Sequence, residues 1–233
     1  MKIRSILAAG SLAVATLLGA PVTALASTPA PLIDSSSWAG YALTGAAGSY
    51  NMVAASWTVP TAKCVAGSQF ASFWVGLDGY SSDSVEQTGI DVDCSGGTAS
   101  YAGWYDLYPA APVYFSNTIS PGDAMTASVV FSGTTTFKFT LQDVTAGWSH
   151  AVTKNAAGEE RSSAEVVTEG PGAAGVLTDF GKITFTGCEV NSLSLGDQDP
   201  TPITMVDGSG KVMVSTSAIT AAGKFVNTWL RGT

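Results

Sequence analysis

Phe73-Trp74-Val75-Gly76-Leu77-Asp78-Gly79 is followed, after a short loop, by Val85-Glu86-Gln87-Thr88-Gly89-Ile90-Asp91-Val92-Asp93. Read with a period of two, the second stretch puts Gln87, Gly89, Asp91 and Asp93 on one face and Thr88, Ile90 and Val92 on the other. The apolar face can join a core, which leaves Gln87 and Asp91 to line a groove. In the first stretch Trp74, Gly76 and Asp78 share a face in the same way. Gln87 is the odd member. A glutamine among acids and aromatics packs poorly, whereas its carbonyl can orient a water and its NH2 can steady a developing oxyanion.

The same short-strand pattern recurs outward from this pair. Runs rich in Val, Thr, Phe, Tyr and Trp at 52–59, 70–77, 127–131, 136–141, 164–168, 182–186 and 211–215 alternate with turns built from Gly, Pro, Asn and Asp. Long segments with a 3.6-residue period are missing. This pattern predicts an all-β fold, an antiparallel β-sandwich. The 26 glycines suit frequent tight turns and bulges. Glu165, Val167 and Glu169 share one strand face, and two carboxylates spaced i, i+4 there repel unless something uses or separates them.

The N-terminus reads as an export signal. Lys2 and Arg4 supply a positive start, residues 6–18 an apolar run, and Ala24-Leu25-Ala26 a small-x-small cleavage site. The run is short of the ~20 residues that span a bilayer. The expected organisation is therefore a signal peptide at 1–26, a short lead at 27–36 and one domain at 37–233, secreted and not membrane-bound after cleavage.

The chain carries 18 acidic against 10 basic residues, a formal net charge of −8 that becomes −10 once Lys2 and Arg4 are removed. Such a surface argues against nucleic acid and anionic membranes, and is compatible with work at low pH. Cys64, Cys94 and Cys188 make an odd count. In an exported protein Cys64 with Cys94 is the first choice for a disulfide, since both flank the same strand pair, with Cys188 free and buried.

Several chemistries are missing. His150 is the sole histidine, and Gly147-Trp148-Ser149-His150-Ala151 is no nucleophile elbow. Asp78-Gly79 and Asp207-Gly208 lack the intervening hydroxyl residue of an aspartic dyad. His-Glu-x-x-His and P-loop patterns do not occur, and the cysteine and histidine spacings match no metal signature, so no metal or cofactor is expected. An exported enzyme of this composition must work with carboxylates, amides and phenols.

Six blocks then appear in order: Ser37-Trp38-Ala39-Gly40-Tyr41, Ser56-Trp57-Thr58-Val59-Pro60, Trp74-Val75-Gly76-Leu77-Asp78-Gly79, Gln87-Thr88-Gly89-Ile90-Asp91, Ala102-Gly103-Trp104-Tyr105-Asp106-Leu107-Tyr108-Pro109 and Ala164-Glu165-Val166-Val167-Thr168-Glu169. In order and spacing they resemble the glutamic peptidases, or eqolisins, over most of the chain from Trp38 onward. The resemblance implies a β-sandwich of two large antiparallel sheets, concanavalin-like or jelly-roll-like, acting as an acid endopeptidase with a catalytic Gln and Glu. These fall on Gln87 and Glu165, with Glu169 as the alternative acid. Supporting acids fall on Asp78 and Asp91, and substrate-contacting aromatics on Trp38, Trp74 and Tyr105. Protein or peptide substrates, a monomer and no cofactor are expected.

The chemistry of these residues is coherent. Glu165 can take a proton from water and return it to the leaving amine, while Gln87 holds the water and the oxyanion. The amide must be fixed in orientation, and Asp91 or Asp78 accepting from it would do so. An ordinary carboxyl near pKa ~4.3 suits acidic solution. Three features depart from the family pattern: Val166 follows the catalytic Glu where tryptophan is usual, Ser37 precedes the first Trp where Asn is common, and the lead is shorter than a fungal propeptide. Two rival readings use the same residues. One is a carbohydrate- or surface-binding sandwich with exposed tryptophans; the other is a glycosidase pairing Glu165 with Asp91 across one groove.

Overall fold

The computed structural model describes residues 32–172 and 175–233. The signal peptide at 1–26 and the first part of the lead lie outside the described residues. The strands are β1 Ile33–Ser35, β2 Trp38–Thr44, β3 Met52–Thr58, β4 Gln69–Leu77, β5 Val85–Ser95, β6 Thr98–Tyr108, β7 Val113–Tyr114 and β8 Ala124–Ser132. They continue with β9 Thr136–Asp143, β10 Trp148–Asn155, β11 Ser163–Glu169, β12 Lys182–Val190, β13 Leu193–Ser194, β14 Thr201–Val206, β15 Val212–Thr216 and β16 Phe225–Trp229. A short 3-10 turn, Leu195–Asp197, lies between β13 and β14. Ile33–Ser35, read from sequence as part of a lead, joins the fold by pairing in parallel with β14.

Hydrogen bonding links the strands in the order β10-β9-β8-β3-β12-β16-β15-β14-β2-β11-β4-β5-β6-β7. This path folds over itself. β3, β8 and β9 face β4, β5 and β11 without pairing to them, which makes two packed layers. Between the layers lie Phe73, Val75, Leu77, Ile90, Val92, Phe137, Phe139 and Leu141, all essentially buried. Alternation drives this arrangement: in β9 the buried residues are Phe137, Phe139, Leu141 and Asp143, every second one.

A second apolar group, Trp74, Val85, Trp104 and Val167 with Trp38 against it, forms on the outer face of the β2-β11-β4-β5-β6 layer. That face carries the polar residues singled out above. Its register on one side is set by a two-residue turn: Gly96 (φ 59°) and Gly97 (φ 83°) join Ser95 to Thr98, and positive φ at both positions is what a tight right-twisted hairpin needs. Cys64 and Cys94 are bonded, Cα to Cα 5.4 Å, and tie the segment after β3 to the end of β5. Cys188 is free and buried, and burial pushes its thiol up to about 12.

Candidate active site

Gln87 of β5 pairs with Gly76 of β4, and Gly76 pairs in turn with Glu165 of β11. The three form one cross-strand row, with Gln87 and Glu165 about 10 Å apart at Cα, two strand spacings. Both side chains rise on the outer face, because each alternates with core residues: Thr88 beside Gln87, Ala164 and Val166 beside Glu165. Between them Gly76 presents no side chain. A Cβ there would sit 2.8 Å from Trp74 Cζ3 and 3.3 Å from Gln87 Cβ. Above Gly76 the edge of the Trp74 ring closes in, so only glycine fits in the row between the amide and the carboxyl.

The polar atoms of this row, and of Glu86 on the opposite face of β5, are unusual for a folded protein, where buried polar groups are almost always paired. Both Glu165 oxygens, both Glu86 oxygens, Gln87 Oε1 and Asp106 Oδ1 are buried without a protein partner. Gln87 Nε2 donates to Asp106 Oδ2 at 3.2 Å. Because a carboxylate can only accept, this bond sets which end of the amide faces which way. One NH2 hydrogen and the carbonyl oxygen remain for other partners.

Glu165 is fully buried, and its carboxyl is raised well above the usual range, first by burial and then by the negative charges of Asp78 and Glu86. The Ser163 hydroxyl and the Tyr80 N–H offset only part of this. Glu169, the alternative acid, belongs to a different row. It aligns through Ser72 with Asp91, four residues from Gln87 along β5, so it lies roughly 16 Å from Gln87 at Cα. Its carboxylate accepts from Trp74 Nε1 at 2.9 Å and holds that indole, which meets Trp38 edge to face at 5.0 Å. Burial raises the Glu169 carboxyl too, against hydrogen bonds from the Trp38 and Trp74 indoles.

Beside the row lies a cleft of about 200 Å3 lined by Gln87, Asp91, Trp104, Asp106, Tyr114 and Glu169, among others. Asp91 accepts from Trp104 Nε1 at 2.7 Å and from the Tyr114 hydroxyl at 2.8 Å. Burial pushes Asp91 up to about 6 despite these bonds. On the other flank a hollow of about 520 Å3 is bordered by Trp38, Gly79 and Tyr80. A larger one, about 600 Å3 around Tyr101 and residues 115–119, carries no carboxylate.

Three expectations need correcting. Trp74, expected to contact substrate, is entirely buried with its indole held by Glu169. Neither Asp91 nor Asp78 holds the Gln87 amide: Asp91 is committed to Trp104 and Tyr114, and Asp78 accepts from the backbone N–H groups of Arg161 (2.6 Å) and Ser162 (2.8 Å). Asp106, directly across from Gln87, has that role. Tyr105 does not face the cleft. It pairs with Thr88, on the core face, and packs against Phe115 and Phe139. The cleft aromatic from β6 is its neighbour Trp104. Glu86 was missed as well; one oxygen of its carboxyl converges with one each from Asp78 and Glu159. His150 stacks on Phe115 and bonds Asn117, with no serine against it.

The Peptidase A4 family matches residues 36–228, which carry this whole row and the cleft beside it. The chain belongs to the Peptidase A4 family. Aspergillopepsin-2 of Aspergillus niger is 31% identical over 214 residues, covering 78% of this chain and 74% of that protein. Among solved structures, scytalido-glutamic peptidase with a transition state analog inhibitor superimposes with a TM-score of 0.71 at 25% identity, over 83% of this chain and 98% of the other. Aspergilloglutamic peptidase from Aspergillus niger gives 0.58 at 27% identity, over 69% and 99%. This glutamic peptidase thus has the β-sandwich of its relatives and acts on protein or peptide substrates.

Proposed function

We propose that this glutamic peptidase is a secreted endopeptidase active in acid, with Glu165 and Gln87 activating a water between them. The row Gln87, Gly76, Glu165 carries the reading: it sets an amide and a carboxyl on one face, on either side of a strand position where only glycine fits beside the Trp74 ring. A water held between them gives its proton to Glu165 as its oxygen bonds to the substrate carbonyl carbon. The resulting oxyanion takes the NH2 hydrogen of Gln87 that Asp106 does not use. Glu165 then protonates the amide nitrogen, the C–N bond breaks, and the carboxylate is restored without a covalent intermediate.

The raised carboxyl of Glu165 fits this sequence. Ser163 and Tyr80 offset only part of that rise and no donor lies at close hydrogen-bond distance, so donors from a bound water and substrate would favour the ionised base further. The carbohydrate-binding alternative is poorly supported, since Trp74 is entirely buried and cannot offer a stacking face. A glycosidase pairing of Glu165 with Asp91 is disfavoured by the commitment of both Asp91 oxygens.

The test is casein cleavage by the exported protein across an acid pH series. Gln87→Ala and Glu165→Gln should each reduce kcat/KM by about a thousandfold or more. Full activity in either variant would overturn the assignment. Pepstatin should leave cleavage intact, as no aspartic dyad is present.

A further inference from the structure

Behind the catalytic row lies a group of acids that the peptide-cleaving steps do not use. Glu86 immediately precedes Gln87 but points to the opposite face, and is 1% exposed. One of its carboxylate oxygens and one each from Asp78 and Glu159 lie within 4.8 Å of one another. Neither Glu86 oxygen has a hydrogen-bond donor. The one salt bridge among the described residues joins Arg231 to Asp207, elsewhere in the fold. Arg161, on the same segment as Glu159, turns its guanidinium to the Phe131 ring and to Asn51. The trio therefore has no counter-charge.

An independent observation connects the trio to the site. Glu165 is outside it, fully buried, with both oxygens unpartnered, and it senses the charges of Asp78 and Glu86. The backbone joins them too. Asp78 N–H donates to Ser163 O, and the Asp78 carboxylate holds the N–H groups of Arg161 and Ser162, so the end of β4 is fastened to the residues leading into β11. The acids facing Glu86 are thus Asp78 from the end of β4, Glu159 from the connection before β11 and Glu165 from β11, with the Tyr50 phenol near Glu165.

Carboxylates crowded without donors repel, whereas one proton turns a pair into an O–H···O hydrogen bond. We propose that Glu86 is a proton-dependent positioning residue: as a neutral acid it bridges toward Asp78 and Glu159, keeps the β4–β11 junction closed behind Glu165, and sets the upper pH limit of the enzyme by losing that proton. The assignment rests on the reading of Glu165 as the catalytic acid. Burial, and after it Glu159 and Asp78, push the Glu86 carboxyl up to about 9, which agrees with a neutral side chain throughout the acid range.

The experiment compares wild type with Glu86→Gln and Glu159→Gln in two profiles against pH, kcat/KM on casein and the melting temperature. Glutamine mimics the protonated acid. Glu86→Gln should stay within roughly threefold of wild type in acid while its upper limb moves up by about one pH unit or more in both profiles. Glu159→Gln, at the half-buried side of the trio, should move the limb in the same direction by less. Superimposable upper limbs, or an equal loss at every pH, would overturn the proposal. Should Glu86→Gln not fold, an upper limb unmoved in Glu159→Gln would do so. The two readings separate in the Glu165→Gln background. Retained cleavage there removes the catalytic assignment, while the melting profile of Glu86→Gln still reports on the acid trio.

Discussion

Gln87 and Glu165 stand on either side of Gly76 in a single cross-strand row, although they are 78 positions apart in sequence. The glycine has no conformational task here; its use is spatial. Any side chain at that point would push the Trp74 ring and the Gln87 side chain out of the places they hold.

Gly76→Ala should therefore inactivate without unfolding. The added Cβ would press on the Trp74 ring at 2.8 Å, tighter than real contacts, and on Gln87 Cβ at 3.3 Å. A displacement of about 1 Å at reacting groups can cost on the order of a hundredfold in rate. The expected result is a loss of that size in kcat/KM with a melting temperature lowered by only a few degrees, read by casein cleavage and thermal denaturation.

Asp106 accepts from the Gln87 amide, so under the proposed mechanism its removal should cost turnover more than binding. Asp106→Ala frees Gln87 to rotate and removes a charge-assisted hydrogen bond of about 1.5–3 kcal/mol, equivalent to roughly a 10- to 100-fold fall in kcat. Asp106→Asn can still accept from Nε2 and should recover part of the rate. A fall confined to KM in both variants would contradict an orienting role.

Stability should decline as pH rises, because the folded state raises the carboxyls of Glu86, Asp91 and Glu165 above their ordinary values. A raised acid is accommodated fully while neutral, below its ordinary value of 4.5 for Glu and 3.8 for Asp. Above that the unfolded chain ionises first, and each such group removes at most about 1.4 kcal/mol per pH unit until its folded value is reached. Asp91 stops contributing near pH 6 and Glu86 near pH 9. Melting temperatures taken from pH 4 to pH 9 should fall steeply at first and less steeply above about 6, whereas a flat profile would contradict the burial of these acids.

The site was legible where local rules suffice. Period-two alternation put Gln87 and Asp91 on one face with no coordinates needed. The partner of Gln87 was within reach as well: once Gly96-Gly97 is read as a two-residue turn joining Ser95 to Thr98, counting back along the hairpin sets Asp106 opposite Gln87. The choice of Asp91 or Asp78 came from proximity in sequence instead. The alignment of Glu165 with Gly76 could not be counted this way, since β4 and β11 share no tight turn, and only the family resemblance pointed to Glu165. Glu86 escaped notice because alternation assigns it to the apolar face, where an acid violates the pattern that made the strand recognisable.

The same alternation separates two adjacent aromatics and gives a paired prediction. Trp104 lines the cleft and donates to Asp91, while Tyr105 lies in the core beneath Phe115 and Phe139. Trp104→Phe removes the donor and leaves a buried Asp91 oxygen unpaired, at about 1–3 kcal/mol, beside the groove that receives substrate. It should raise KM and displace Asp91 further upward. Tyr105→Phe keeps the ring and its packing, and no hydrogen bond of its hydroxyl is lost among the described residues, so its activity should match wild type. Equal effects of the two substitutions on KM would mean that β6 presents the opposite face to substrate.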